Sequence, residues 1–288
     1  MTDSTADRKD VVCKESPLYT SKWVPMCELA RHASGAIIDE FQGEGVRIPT
    51  GFKCVDTALG DGFNPGELVV LASPVGKGKT TVAINIASHI ACKENIPVGY
   101  FTFADHPKSL FELMVCSRCY LSLKYLRNPC LMGDEDWSKF SKQVLFFENK
   151  PFYVNAFNAD PLSKCFEFCQ EVSKGKPSLI VIDGWDAVEA VAEHPERLAV
   201  ELKHLAVQLN CVILVTKTVK QHGVYPQLKD LEVPDPKLAA LADKVFVILR
   251  DDLVRERKEI ELHLVKNRTG ELATFSLKYK TNAGMIYD

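Results

Sequence analysis

Long apolar runs are missing from this 288-residue chain, and no stretch approaches the roughly 20 residues of a membrane-crossing helix. A cationic excess is missing too: 35 Lys and Arg face 38 Asp and Glu, for a net charge of −3. No global field therefore advertises nucleic acid, and any such contact needs a local patch, multiplied if the chain assembles. The opening residues Met1 to Asp10 are polar and lack the apolar segment of a secretory signal. These absences give the expectation of a soluble, cytoplasmic protein with no membrane partner. A second Cys-x-x-Cys is also lacking, so Cys116 and Cys119 fall short of the four ligands of a structural zinc. Most of the ten cysteines, Cys92, Cys165, Cys169 and Cys211 among them, sit in apolar runs and read as small buried hydrophobes. Neither an internal repeat nor a low-complexity tract is present.

What is there falls into three parts: a tail over residues 1–22, a linker helix over 23–46 and one large domain over 47–288. The tail carries little periodicity. Between Met26 and Phe41 apolar residues recur at three- and four-residue steps (Met26, Leu29, Ala30, Ala33, Ile37, Phe41), the pattern of an amphipathic helix. Beyond Gly51 short apolar runs alternate with helical patterns. Leu68–Ala72, Val98–Phe103, Leu179–Ile182, Val212–Val215 and Lys244–Leu249 read as strands, with helices over Thr80–Lys93 and Ser109–Ser122 and a helical stretch through Leu198, Leu202, Leu205 and Leu209. Phe152–Val154 reads as an edge strand, and Ile260–Val265 with Thr274–Tyr279 as a terminal β-hairpin about Thr269-Gly270. Near-continuous apolar strands between helices imply an α/β fold with a mainly parallel sheet covered on both faces. Ligands of such sheets bind at the carboxyl ends of the strands.

One motif sits at such an end. Ser73-Pro74-Val75-Gly76-Lys77-Gly78-Lys79-Thr80 follows a strand, opens a helix and has the spacing of a phosphate-binding loop, with serine at its first position. Amides at a helix N-terminus point at phosphate oxygens, and the helix dipole favours negative charge there. Lys79 is the residue to reach the terminal phosphates. The Thr80 hydroxyl is a ligand for Mg²⁺, and Thr81 continues the ATP-binding segment. Asp183 ends a buried strand, where a carboxylate holds Mg²⁺ or its water. Mg-ATP is the ligand these residues imply.

With these residues in view the chain resembles the RecA-type ATPase domain of DnaB-like replicative helicases. The resemblance spans roughly residues 47–288. It rests on Ile48-Pro49-Thr50-Gly51-Phe52 with Asp56 and Gly66-Glu67-Leu68, and on Asp230-Leu231. Ala242-Asp243-Lys244-Val245 through Leu249–Asp252 and Lys266-Asn267-Arg268-Thr269-Gly270 complete it. KaiC and RadA ATPases share the loop and the Lys-Asn-Arg piece. The resemblance implies a RecA-like P-loop NTPase core and a homo-oligomeric ring, usually a hexamer. It also implies ATP between subunits, single-stranded DNA in the channel and replication proteins as partners. Lys266 and Arg268 would then reach the γ-phosphate of the adjacent subunit's nucleotide, and the helix from Met26 to Phe41 takes the place of the linker helix that docks on a neighbour. The N-terminal domain that precedes this helix in bacterial relatives has no counterpart in residues 1–25.

Two departures bear on chemistry. Where the family has a glutamate that activates the attacking water, this chain has Ala104, followed by Asp105, which serves either as that acid or as a cap for the helix after Pro107. A shorter acid misplaces the base, and a small misplacement costs on the order of a hundredfold in rate. Where the family senses the γ-phosphate with a polar pair, this chain has Thr216-Lys217. Lys220, His222 and Lys229 lie in the segment that lines the family's DNA channel, and Trp185 is either core or a stacking platform for a base. Three activities fit: an ATP-dependent helicase or translocase in DNA replication, a KaiC- or RadA-like assembly ATPase, and a hydrolysis-weakened helicase paralogue.

Overall fold

The computed structural model describes residues 23–42, 45–103, 105–156, 160–220, 236–250 and 259–288. His222, Lys229, Ala104 and the Asp230-Leu231 pair lie outside the described residues, as does the 1–22 segment. The chain opens with helices α1 (Met26–Phe41) and α2 (Lys53–Leu59), then strand β1 (Leu68–Ser73) and helix α3 (Lys79–Cys92). Strand β2 (Val98–Thr102) leads into a helical insertion of α4 (Pro107–Cys119), α5 (Leu123–Arg127) and α6 (Asp134–Phe147). Next come β3 (Phe152–Ala156), α7 (Pro161–Glu167) with a π-helical turn over Phe168–Ser173, β4 (Leu179–Asp183), α8 (Trp185–Val191) and α9 (Pro195–Gln208). Strand β5 (Val212–Thr218), α10 (Pro236–Leu241), β6 (Lys244–Leu249), β7 (Glu259–Asn267), β8 (Ala273–Lys280) and β9 (Met285–Tyr287) complete the described elements.

All described strands join one sheet in the order β3-β2-β4-β5-β1-β6-β7-β8-β9. From β3 to β6 the pairings are parallel, and from β6 to β9 antiparallel. Strand β1 lies centrally, between β5 and β6, as its unbroken burial requires: every residue from Leu68 to Ser73 is buried. Its side chains alternate between two cores, as strand geometry dictates. Val69 and Leu71 meet Val82, Ile84, Ile86 and Ile90 of α3, whereas Leu68, Val70 and Ala72 meet Leu202 and Ala206 of α9. Burying one such aliphatic side chain stabilises by about 1.5–3 kcal/mol, so α3 is fixed on the sheet by its apolar face and its N-terminus is held at the end of β1.

Several boundaries differ from the sequence pattern. Helix α4 begins at Pro107 rather than Ser109, because proline suits a first helical turn and His106 caps it: the His106 Nδ1 accepts from the Lys108 amide at 3.1 Å. Asp105 is therefore not the cap. Helix α6, which the sequence reading passed over, has no fully buried residue although Trp137, Phe140, Val144 and Phe147 recur at three- and four-residue steps; its Phe140 and Phe147 pack partly against Val115, Cys116 and Leu121. Cys116 is buried in that cluster, and the Cys119 thiol donates to the Val115 carbonyl at 2.9 Å. The terminal hairpin carries an added strand, β9, too short to show alternation. Helix α1 forms as its pattern implies and leaves Met26, Ile37, Ile38 and Phe41 exposed. Among the described residues no helix is long and apolar enough to cross a membrane.

The opening signature has a structural reason. Asp56 accepts from the Thr50 amide and hydroxyl, both at 2.7 Å, and from the Gly51 amide at 3.1 Å. Gly51 has φ +89°, and a Cβ there would stand 2.4 Å from His89 Cγ on α3. That turn ties the entry of the domain to the helix carrying the phosphate loop.

Candidate nucleotide site

Ser73 closes β1, and the loop curls from Pro74 to Gly78 before α3 starts at Lys79. Gly76 and Gly78 have φ +73° and +104°, a left-handed backbone that a side chain would strain. The curl turns the first amides of α3 outward, where a helix leaves them without intrahelical acceptors. Val75 is exposed at the crest, 80% accessible, so the loop faces solvent. The Arg250 Nη2 donates to the Gly76 carbonyl at 3.3 Å and ties the loop to the end of β6.

Lys79 Nζ folds back over the loop, donating to the Ser73 carbonyl at 3.1 Å and the Pro74 carbonyl at 3.3 Å, with Ser73 Oγ at 3.5 Å. Burial lowers its pKa, while Asp186 and Asp183 pull the other way. The Thr80 side chain, one residue on, bears on the Asp105 carboxyl and lowers its pKa against the larger effect of burial. The Asp105 backbone is locked in turn: its amide donates to Thr102 Oγ1 at 3.1 Å, and that hydroxyl donates to the Asp105 carbonyl at 2.7 Å. Burial, then the charge of Asp183, raises the Asp105 pKa, against the Thr80 contact.

Asp183 ends β4 and is buried, 3% exposed. Its two oxygens are both engaged: Thr216 Oγ1 donates to Oδ1 at 2.6 Å, and the Tyr100 hydroxyl donates to Oδ2 at 2.8 Å. Thr216 stands opposite Asp183 on β5, and Thr102 opposite it on β2, so register alone gathers these groups at one end of the sheet. The Gly184 amide donates to Thr216 Oγ1 at 2.9 Å, completing the chain of hydrogen bonds.

Lys217 follows Thr216 but turns elsewhere. It pairs with Asp186 at 3.0 Å and with Glu189, both from α8, and these partners raise its pKa against burial. Asp186 also accepts from the Thr218 amide at 3.0 Å. Trp185 is fully buried, and its Nε1 donates to Glu189 at 2.6 Å, so of its two readings the core one holds. Lys220, beyond β5, is exposed.

The remaining two cations lie at the other end of the sheet. Strand β7 runs antiparallel to β6, starting beside the phosphate loop, where a Cβ on Gly78 would lie 3.6 Å from Ile260 Cδ1. Eight residues later, at about 3.4 Å each, Arg268 is about 27 Å away. Lys266 Nζ donates to the Ala239 and Ala240 carbonyls, both at 2.8 Å; burial and the neighbouring Arg268 lower its pKa. Arg268 is half exposed, with Nη1 3.4 Å from Asp243. Its amide donates to the Asp243 carbonyl at 2.9 Å. Asp243 also pairs with Lys203 at 2.6 Å, and the fully buried Lys244 pairs with Glu67. A groove of about 600 Å³ runs past this cluster, lined in part by Arg47, Asn64, Glu67, Lys203 and Asn267. So Lys79, Thr80, Asp105, Asp183 and Thr216 converge, while Lys266 and Arg268 stand too far off to serve the same loop. Sequence reasoning missed Tyr100, which reads as one more aromatic in an apolar strand.

The family model for the DnaB-like helicase C terminal domain matches residues 47–287. The chain belongs to the DnaB-like helicase family. The replicative DNA helicase DnaB of Geobacillus stearothermophilus is 28% identical over 257 residues, covering 82% of this chain and 55% of that protein. The Bacillus subtilis replicative DNA helicase DnaC is 26% identical over 258 residues, covering 83% and 56%. The chain thus spans about half the length of the curated relatives it matches. In fold the DnaB-like chain is similar to a solved DnaB-like replicative helicase described with its interactions with primase, with a TM-score of 0.74 at 18% identity over 92% of this chain and 67% of that one. A KaiC-like protein from Pyrococcus horikoshii follows the same RecA-like fold more loosely, with a TM-score of 0.57 at 16% identity over 84% and 98%.

Proposed function

We propose that this DnaB-like chain is an ATP-dependent motor acting on single-stranded DNA in replication, working as a ring with nucleotide held between subunits. The observation that carries this reading is the division of the charged groups between the two ends of one sheet. Lys79, Thr80, Asp105 and Asp183 gather at the phosphate loop, and Lys266 and Arg268 stand about 20 and 27 Å along β7 from Ile260, the residue beside that loop, at about 3.4 Å per residue. A second copy, set head to tail, would supply from its far end the cations that the first copy's pocket lacks. Such a cation arriving in trans stabilises charge on a transferring phosphoryl group.

The residues fit Mg-ATP. Hydroxyl and carboxylate oxygens from Thr80, Asp105 and Asp183 are hard donors of the kind Mg²⁺ takes, and the left-handed glycines leave room for phosphate against backbone. When bound, the cation neutralises charge on the β- and γ-phosphates. Lys79 would exchange its carbonyl partners for phosphate oxygens. Asp105 is the acid able to orient or deprotonate the attacking water. Its raised pKa suits a proton acceptor, although its side chain is one methylene shorter than the family's glutamate. Thr216 would fix Asp183. Lys217, paired with two carboxylates, acts in this reading as a fastener between β5 and α8 next to the segment after Val219. That segment, with Lys220, His222 and Lys229, is the proposed DNA-binding element, repeated around the ring.

The assembly-ATPase reading is favoured by one feature, the aspartate at 105 with alanine before it. ATP turnover measured with and without single-stranded DNA separates the two. DNA stimulation is the expected result; turnover indifferent to DNA would support an assembly ATPase, and binding without turnover a weakened paralogue.

A further inference from the structure

The geometry points to Tyr100 as a positioning residue of the metal site: its hydroxyl, with that of Thr216, holds the Asp183 carboxylate in the orientation that serves the nucleotide's cation. This deepens the nucleotide-binding reading and rests on it. The Tyr100 side chain is fully buried on the α3 side of the sheet, in the core that also holds Val181 and Leu214. Its ring stacks on Phe152 of the neighbouring edge strand, centroids 6.0 Å apart and planes 21° from parallel. With the ring fixed, the hydroxyl has one place to go, the Asp183 Oδ2 at 2.8 Å.

A buried phenol needs an acceptor, so a bland account would stop at a satisfied hydroxyl. The arrangement around it argues for more. Thr216 takes the other carboxylate oxygen at 2.6 Å, and its own Oγ1 is oriented by the Gly184 amide at 2.9 Å. Both oxygens are thus committed to donors from the strands on either side of β4. An ionised carboxylate has about four lone-pair sites, so two remain to accept from water. Held by one hydroxyl on each oxygen, the carboxylate has a fixed orientation, and its remaining lone pairs are already aimed when a hydrated cation arrives. Partners of this kind tune a metal without touching it.

Tyr100→Phe removes the hydroxyl and keeps the ring, and Thr216→Val frees the other oxygen. Binding of a fluorescent ATP analogue to the full chain is titrated with Mg²⁺ and, separately, measured in EDTA. For Tyr100→Phe the half-saturating Mg²⁺ is expected to rise about tenfold or more, while metal-free affinity moves by less than about twofold. Mn²⁺ titration followed by electron paramagnetic resonance gives the same comparison without turnover. An unchanged Mg²⁺ requirement in a folded Tyr100→Phe protein would overturn the proposal while leaving nucleotide binding intact. If Tyr100→Phe fails to fold, Thr216→Val carries the test: a raised Mg²⁺ requirement supports the clamp, and an unchanged one overturns it. A wild-type chain that binds no nucleotide in either buffer would instead defeat the nucleotide reading, and this inference with it.

Discussion

At the phosphate-loop end of the sheet Lys79 is held by carbonyls and a hydroxyl, whereas at the opposite end most cations already have carboxylates. Lys203 and Lys244 meet Asp243 and Glu67, and removing one member of such a pair strands its partner. A lysine resting on neutral oxygens gives up little when a phosphate displaces them. Lys266, on the Ala239 and Ala240 carbonyls, belongs with Lys79 in that respect, although it sits among the structural pairs. Arg268 falls between the classes: its backbone is tied to Asp243, while its side chain is half exposed and makes a 3.4 Å contact. The comparison teaches that the partner's charge, rather than the cation's location, separates groups ready for a ligand from groups holding the fold.

Four substitutions sharpen that contrast, the largest effect first. Arg268→Ala should lower turnover in the assembled state by about a thousandfold or more, the loss expected when a trans arginine is removed, with nucleotide affinity nearly unchanged in a binding titration. An equal loss of affinity would return Arg268 to the structural class. Lys79→Ala should weaken nucleotide binding by roughly tenfold to a hundredfold, the worth of a charge-assisted contact, and calorimetry measures it directly.

Asp105→Asn comes third. Ionised Asp105 faces burial and the charge of Asp183, so its folded pKa lies above its unfolded one. Between those two values the native state binds more protons, and stability falls as pH rises through that window. Removing the charge should therefore raise the melting temperature of the nucleotide-free protein at neutral pH, while turnover falls by about a hundredfold. In the wild type, turnover should decline as pH drops through the raised value, because the proton acceptor is then occupied. A melting temperature lowered by Asp105→Asn would contradict the repulsion. Lys217→Ala should have the smallest effect on nucleotide affinity, within about threefold, since its charge is spent on Asp186 and Glu189. A loss matching that of Lys79→Ala would make Lys217 a phosphate contact after all.

Much of this was legible in the sequence where chemistry and spacing coincide. The loop from Ser73 to Thr80 and the carboxylate closing Leu179–Ile182 announce themselves, because a glycine-bearing strand-to-helix turn and an acid at the end of a buried apolar run constrain residue type as well as position. The hairpin was legible because Ile260, Leu262 and Leu264 alternate, as do Phe275, Leu277 and Tyr279, and those six residues are buried on one face. Helix α6 was missed although Trp137, Phe140, Val144 and Phe147 recur at three- and four-residue steps, much as the apolar residues of α1 do. The His106 cap was missed because the ring does a job usually given to Ser, Thr, Asp or Asn. Tyr100 was invisible for another reason: its partner is 83 residues away, and only the β2–β4 register brings them together. The separation of Arg268 from Lys79 likewise follows from β7 running antiparallel to β6, which no local pattern carries.

The most direct test of a pocket shared between copies is ATP turnover in a mixture of Lys79→Ala and Arg268→Ala proteins, with co-assembly verified by pulling one down through a tag on the other. Turnover should reappear in the mixture although each protein alone is inactive, because some interfaces then join an intact phosphate loop to an intact Arg268. A co-assembled mixture as inactive as its parents would contradict the account.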